Sequence, residues 1–335
     1  MRKLYLHIPS GNKAKEDIDF LMSQSGFKNV AIHCSSHNSI VRFFAKLFSV
    51  ILLLFHVRRK DVLLMQYPFK KFYSLACILC HVKGGKVITI VHDLGCCRRK
   101  KLTEQHEIKR LSHTDVLIVH NEAMLDFLKT RGFAGPMVTL GIFDYLAQYS
   151  GSTPKKDTDQ IWQVVYAGGL ARRKNTFLYM LDSHIKGWLF SIYGKGLEQD
   201  EAKTWHNIVP MGFIKSDDFI KASVGHFGLV WDGSSIDACD GEWGSYLLIN
   251  NPHKTSFYLR AGKPVIIWDK AALTPFVLKH NVGIAVSSLH EIGEKLSSIS
   301  IQQYATMCAN VQKISAQLQQ GHFFLQAFHS ALKEL

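Results

Sequence analysis

This sequence predicts an α/β protein built from two doubly wound, Rossmann-like domains, each a parallel sheet covered by helices. Three observations predict it. Short apolar runs of the buried parallel-strand type recur throughout the chain, separated by helical stretches. The polar stretch Tyr149 to Gln160, YSGSTPKKDTDQ, interrupts that alternation near the middle. The length, 335 residues, suits about two domains, each with its own core.

The first half opens with a strand at Lys3–Ile8, the loop Pro9-Ser10-Gly11-Asn12-Lys13 and a helix from about Lys15. Further strands are expected at Val30–His33, Asp61–Gln66, Val87–His92, Asp115–His120 and Met137–Leu140, with helices near 38–57, 70–82, 102–112 and 122–131. The second half begins with a strand at Trp162–Ala167, a helix at Asn175–Leu181, a strand at Leu189–Tyr193 and a helix at Asp217–Ala222. It continues with a strand at His226–Trp231, a helix from Pro252, a strand at Val265–Ile267, a helix near 271–279 and a strand at Val282–Val286. Two helices broken at Gly321 close the chain. The expected domains are 1–148, a linker 149–160, a second domain 161–315 and a C-terminal helix 316–335.

Charge is unevenly placed. Residues 1–110 hold 20 Lys and Arg against 7 Asp and Glu, so the whole excess of +13 lies in the first third. Such asymmetry suggests a polyanionic partner. No nucleic-acid motif accompanies it, so a nucleic-acid partner is not expected. The segment IVRFFAKLFSVILLLFHVRRK, residues 40–60, places an apolar run between Arg42/Lys46 and Arg58-Arg59-Lys60. Its uncharged part is too short to span a bilayer but suits a basic-flanked helix lying on an anionic membrane surface. PFKKFYSLACILCHVKGGK repeats the theme, and the bland reading makes both segments core helices with solvated basic ends. The N-terminus lacks a signal-peptide pattern. Seven cysteines, without a second pair at metal-site spacing, read as reduced thiols. The expected location is cytoplasmic, peripheral on the inner face of the membrane, with oligomeric state left open.

Candidate chemistry follows the strands, where this architecture places it. NNPHKTSFYLRAGKPVIIW, residues 250–268, sets Asn250, Asn251 and Lys254 at a helix start, with Gly262 at its end. Free N–H groups, the helix dipole and an ammonium make an anion site there, and diphosphate is the usual guest. Tyr166-Ala-Gly168-Gly leads into Arg172-Arg173-Lys174-Asn175, three cations before a helix. Tyr193 precedes Gly194-Lys-Gly196, and Asp232-Gly233 follows Trp231. In the first half, Ser10-Gly11-Asn12-Lys13, His92-Asp93 and His120-Asn121 occupy equivalent positions. A structural reading stands beside each: a charge run is usually solvated, Asn and Asp commonly cap helices, and buried His commonly fixes loops. No Walker-type loop, zinc spacing or nucleophile elbow is present.

Taken together, YAGGL, IYGKG, VWDG, NNPHKTSFYLRAGKPVIIW and AAL..FV, with SGNKAKED, IVHDL, VHNEAM and IFDYL, resemble the bacterial β-1,6-galactofuranosyltransferases and their glucosyltransferase relatives. The resemblance covers nearly the whole chain. It implies a GT-B glycosyltransferase with two Rossmann-like domains facing a central cleft, the first on the acceptor side and the second holding a UDP-sugar. The matching donor-binding residues are Arg172 or Arg173, Asn250 and Lys254, joined by Lys174, Asn251, Gly168, Tyr193, Asn12 and Lys13 as candidates. Asn250-Asn251 stands where many GT-B enzymes place a glutamate.

The implied reaction is inverting and metal-independent. It moves a galactofuranosyl group first, a glucosyl group second, to a glycan acceptor in cell-surface polysaccharide or glycoconjugate synthesis. No cofactor is expected, because the UDP-sugar is a substrate. Asp93 is the expected general base and His92 the second choice. A lipid-diphosphate acceptor would give the basic helices a use. A second reading keeps the fold without the chemistry: a GT-B-like subunit that binds glycan or stabilises a partner.

Overall fold

The computed structural model describes all residues except 8, 10, 37, 99–101, 153, 155, 158 and 223, and the side chain of Lys70. The chain divides into two compact units, Met1–Leu140 with Phe323–Leu335, and Gly141–His322.

The first unit holds six parallel strands: β1 (Lys3–Tyr5), β2 (Lys28–Asn29), β3 (Val62–Tyr67), β4 (Lys86–Val91), β5 (Val116–Val119) and β6 (Met137–Thr139). Their order is β2-β1-β3-β4-β5-β6. The sequence alternation therefore yields the expected all-parallel sheet. Strands β3, β4 and β5 read as near-continuous apolar runs because helices cover both faces, and Leu63, Ile88, Ile90 and Leu117 are fully buried. Chain direction across the sheet reverses between β1 and β3, which makes the ends of those strands the switch point where such folds bind ligands.

The second unit holds β7 (Trp162–Gly169), β8 (Trp188–Lys195), β9 (Ile208–Gly212), β10 (Phe227–Val230), β11 (Val265–Trp268) and β12 (Gly283–Val286). The order β12-β11-β10-β7-β8-β9 is the Rossmann arrangement, with its switch point between β7 and β10.

Several local expectations change. Pairing of the second strand stops at Asn29, so residues 30–33 are not strand. Strand β9 was not expected: it is a largely exposed edge strand carrying Pro210, as edges tolerate. The helix expected at 175–181 forms two 3-10 turns, Thr176–Tyr179 and Asp182–His184. Pro252 caps its helix rather than entering it.

The boundary between units falls before Gly141, because the first residues of the expected linker are bound into the second unit. Buried Arg260 donates to the carbonyl of Tyr149 at 2.9 Å and to Ser315 Oγ at 2.8 Å. Gly151 donates to the Arg260 carbonyl, and any Cβ on Gly151 would lie 2.1 Å from the carbonyl carbon of Ala261. The last helix, His322–Lys333, joins the first unit through Phe328, whose ring sits 4.8 Å from Phe27.

The apolar segment 40–60 forms helices Ser39–Ile51 and Leu53–His56. By length and composition Ser39–His56 is long and apolar enough to cross a membrane, contrary to the expectation from its uncharged core alone. Here it packs along helix Tyr73–Val82, with Val50 and Leu53 fully buried. Its other face is bare: Ile40 is 64%, Phe48 51% and Phe55 77% exposed.

Candidate functional site

Two clusters form, one at the switch point of each sheet.

In the second unit, helix His253–Arg260 is locked to the sheet one turn beyond Lys254. The Tyr258 ring lies flat on β10 where residue 228 must be glycine, since any Cβ would sit 2.2 Å from the ring. The Tyr258 hydroxyl accepts from Ala167 N of β7 at 2.7 Å. Lys254 is thereby held at the β7/β10 junction. Its Nζ is 3.1 Å from Asp232 Oδ1, donates to the Trp231 carbonyl at 3.3 Å and sits 4.1 Å over the Tyr166 ring. Burial lowers the Lys254 pKa, and the Asp232 carboxylate opposes that fall.

Asp232 is the centre of this group. The Tyr166 hydroxyl donates to its Oδ1 at 3.3 Å, and Lys174 Nζ stands 4.0 Å away and 5.1 Å over the Trp243 ring. The loop carrying Asp232 is fixed by Asp240, whose Oδ1 accepts from Ser234 N at 2.7 Å, Ser234 Oγ at 2.8 Å and Ser235 N at 3.1 Å. Burial raises the Asp240 pKa, but those donors outweigh it and leave it lowered. Gly168 and Gly169 end β7 exposed. Across from them a Cβ at Gly194 would lie 1.9 Å from the Gly168 carbonyl oxygen.

The doubled arginine resolves into two roles. Arg172 is drawn aside: its Nε is 3.0 Å from Glu198, its other arm pairs with Glu201, and its guanidinium lies 4.4 Å over Tyr179. Its pKa is raised, chiefly by the Glu198 hydrogen bond. Arg173 is exposed and, among the described residues, makes no ion pair or hydrogen bond. Asn250 keeps a buried side-chain Oδ1 without a hydrogen-bond donor. Asn251 is buried and donates to the Gly141 carbonyl at 2.9 Å, a structural tie away from the Asp232 group. Tyr193 is 7% exposed, packed edge-on against Phe219 at 4.9 Å, and burial raises its pKa.

In the first unit, Asn12 caps helix Lys13–Gln24 by accepting from Lys15 N at 3.3 Å, and Lys13 pairs with Asp17. Both expected anion contacts are thus engaged within their own helix. Asp93 receives two hydrogen bonds of 2.6 Å from Arg98, which occupy both of its oxygens. His92 is 6% exposed and donates from Nε2 to Gln66 Oε1 at 2.7 Å, since an amide oxygen only accepts. His120 is buried, bonded to the Val91 carbonyl at 3.0 Å, with its pKa lowered to about 3 by burial. Asn121 caps helix Glu122–Thr130 through Met124 N at 2.9 Å.

Sequence reasoning missed the group that His92 supports. Gln66 turns its amide nitrogen to Asp19 Oδ1 at 2.6 Å, and the other oxygen of Asp19 meets His7 Nδ1 at 2.8 Å. Burial raises the Asp19 pKa to about 6, opposed by His7, Gln66 and Lys15. Among the described residues no group of three or more His, Cys, Asp or Glu side chains could hold a metal ion.

Comparison with known proteins agrees over nearly the whole chain. The N-terminal and C-terminal domain models of the "Glucosyltransferase 3-like" family match residues 7–142 and 164–331. The β-1,6-galactofuranosyltransferase WbbI of Escherichia coli (strain K12) is 31% identical over 281 residues, covering 83% of this chain and 81% of that one. Glucosyltransferase 3 of Streptococcus gordonii is 23% identical over 338 residues, covering 96% and 94%. Among solved structures, WaaG, a glycosyltransferase involved in lipopolysaccharide biosynthesis, aligns over 99% of this chain and 98% of its own at 11% identity and a TM-score of 0.49.

Proposed function

The chain belongs to the glucosyltransferase 3-like family and is a glycosyltransferase, and from that premise we propose that it moves a hexosyl group from a UDP-sugar to a glycan acceptor. Galactofuranose is the first choice of sugar and glucose the second, following the activities that the two relatives' names state. The acceptor belongs to a cell-surface polysaccharide or glycoconjugate.

The observation that carries the donor site is the cation group at the β7/β10 switch point. Lys174 and Lys254 converge on one carboxylate, Asp232, while Arg173, on the same β7 loop as Lys174, has no ion-pair partner among the described residues. Asp232 cancels one of three positive charges, which leaves the excess that a diphosphate complements. The exposed glycine pair lets backbone approach the phosphates, as in dinucleotide sites. Asn250 Oδ1, buried and lacking a donor, would be satisfied by a ribose or base N–H or O–H group. Departure of UDP is then stabilised by fixed protein cations, so transfer proceeds without a metal ion. The β linkage in the name of the E. coli relative makes inversion the proposed stereochemistry.

The test is direct: incubate the protein with UDP-galactofuranose, UDP-galactose and UDP-glucose and measure UDP release with and without glycan acceptors, in buffer with and without EDTA. Acceptor-dependent release that survives EDTA supports the reading. UDP affinity with no release from any donor would favour a non-catalytic binding subunit.

The bare face of helix Ser39–Ile51 supports a cytoplasmic protein resting on the inner surface of a membrane. Ile40, Phe44 and Phe48 are exposed on one face of the helix, and Lys71 lies 5.8 Å from the Phe43 ring. Apolar side chains edged by cations fit an anionic bilayer, where apolar groups enter the interface and basic groups meet phosphates. A lipid-linked acceptor would be presented at that surface.

A further inference from the structure

We infer that His7, oriented by Asp19, is the general base that deprotonates the acceptor hydroxyl, and that the pocket His7 lines is the acceptor subsite. This inference rests on the glycosyl-transfer reading above.

Three independent features converge at one place. The first is topology. His7 follows β1 and Gln66 lies near the end of β3, the two strands that flank the switch point of the N-terminal sheet. Ligands of such sheets bind there.

The second is the hydrogen-bond chain. His7 Nδ1 is 2.8 Å from Asp19 Oδ2, and Asp19 Oδ1 accepts from Gln66 Nε2 at 2.6 Å. Gln66 Oε1 in turn accepts from His92 at 2.7 Å, and Gln66 Nε2 also donates to the Lys15 carbonyl at 3.2 Å. Because an amide oxygen cannot donate, the Gln66 amide is fixed in one sense and its nitrogen must face Asp19. Asp19 therefore has both oxygens engaged and its direction set by a buried network. Its remaining capacity is to accept the Nδ1 proton of His7, which leaves Nε2 as the basic nitrogen. Among the described residues Nε2 carries no hydrogen bond, and the His7 side chain is 36% exposed. A base must be reachable; His92 is 6% exposed, and both oxygens of Asp93 are held by Arg98.

The third is space. His7 lines a shallow, solvent-open concavity with Pro9, Ile32, Cys34, Arg42 and Lys46. Arg42 and Lys46 make one wall positive, so an acceptor with an anionic group next to its reactive sugar fits best.

The step balances simply. The acceptor hydroxyl gives its proton to His7 Nε2 while its oxygen bonds to the anomeric carbon of the donor. The bond from that carbon to the diphosphate oxygen breaks, and its electron pair leaves with UDP. Asp19 stays ionised and stabilises the imidazolium that forms.

The experiment uses the full chain, with UDP-galactofuranose and UDP-glucose as donors and octyl β-galactopyranoside and octyl α-glucopyranoside as acceptors. His7→Ala and His7→Gln should each lose turnover by roughly 10²- to 10⁴-fold, the usual contribution of a positioned base. Their affinity for UDP by calorimetry should match that of the parent. Added imidazole should restore part of the activity of His7→Ala and none of that of His7→Gln. Asp19→Asn, a positioning change, should lower kcat with the KM for donor unchanged. Turnover within threefold of the parent in His7→Gln overturns the inference, as does loss of UDP affinity in both His7 variants. A parent that binds UDP but releases none from any donor would instead defeat the transferase reading, and the inference with it.

Discussion

Replacing Lys254 with methionine isolates the charge on which the proposed donor site depends. Methionine keeps the length and the apolar stem, so the Tyr166 ring remains covered. The change removes one ammonium that is 14% exposed and lies 3.1 Å from Asp232. A charge-assisted hydrogen bond contributes about 1.5–3 kcal/mol. At 1.4 kcal/mol per decade, UDP binding should weaken by roughly 10- to 100-fold. The loss is larger than for an exposed cation because little water reaches the site. It is bounded because Lys174, 4.0 Å from the same carboxylate, remains.

The variant also leaves Asp232 with one cation fewer, which costs folding stability. The titration therefore belongs well below the melting temperature of the variant, which is measured alongside. Isothermal calorimetry with UDP gives the affinity directly. Asp232→Asn provides the opposite control: removing the competing carboxylate should hold or improve UDP affinity. Should Lys254→Met bind UDP within threefold of the parent, the placement of the diphosphate at this helix is refuted.

The two arginines should behave differently: Arg173→Ala weakens UDP binding about tenfold, while Arg172→Ala, already paired to Glu198 and Glu201, changes it little. Equal effects by calorimetry would contradict the assignment. Asp19 gives a pH signature, because its pKa is raised from 3.8 to about 6 in a site also facing His7, Lys15 and Tyr5. A raised folded pKa favours the protonated form, so its stability contribution is full below about pH 4 and lost as pH rises through 6. The shift corresponds to about 3 kcal/mol. The melting temperature of the parent relative to Asp19→Asn should therefore be most favourable near pH 4 and least above pH 6, and a constant difference would count against the buried carboxylate. At the surface, the protein should co-sediment with phosphatidylglycerol vesicles at low salt and release as salt rises. Phe44→Ser with Phe48→Ser should reduce that binding, whereas unchanged sedimentation would remove helix Ser39–Ile51 from the interface.

Much of the fold was legible because its signals are local. Apolar runs such as Val116–Val119 and Val265–Trp268 are buried on both faces, so composition alone marks them. Strand β9 was hidden because an edge strand needs no apolar pattern and tolerates Pro210. The boundary near residue 140 was hidden because Arg260, more than 100 residues away, claims the Tyr149 carbonyl.

The site divided the same way. That Lys254 and Lys174 come together follows from their positions after strands. That Arg173 is the free arginine could not, since Glu198 and Glu201 come from a distant turn. The His7–Asp19–Gln66–His92 chain spans three strand ends and one helix, and no short spacing announces it. Nothing in the motif around Asp93 reveals that Arg98 folds back onto it.

The most direct test is a crystal structure of the protein with UDP. The diphosphate should lie beside Lys254 Nζ and the Gly168–Gly169 pair, within reach of Arg173 and Lys174. Density for UDP anywhere away from the β7/β10 junction would contradict the account.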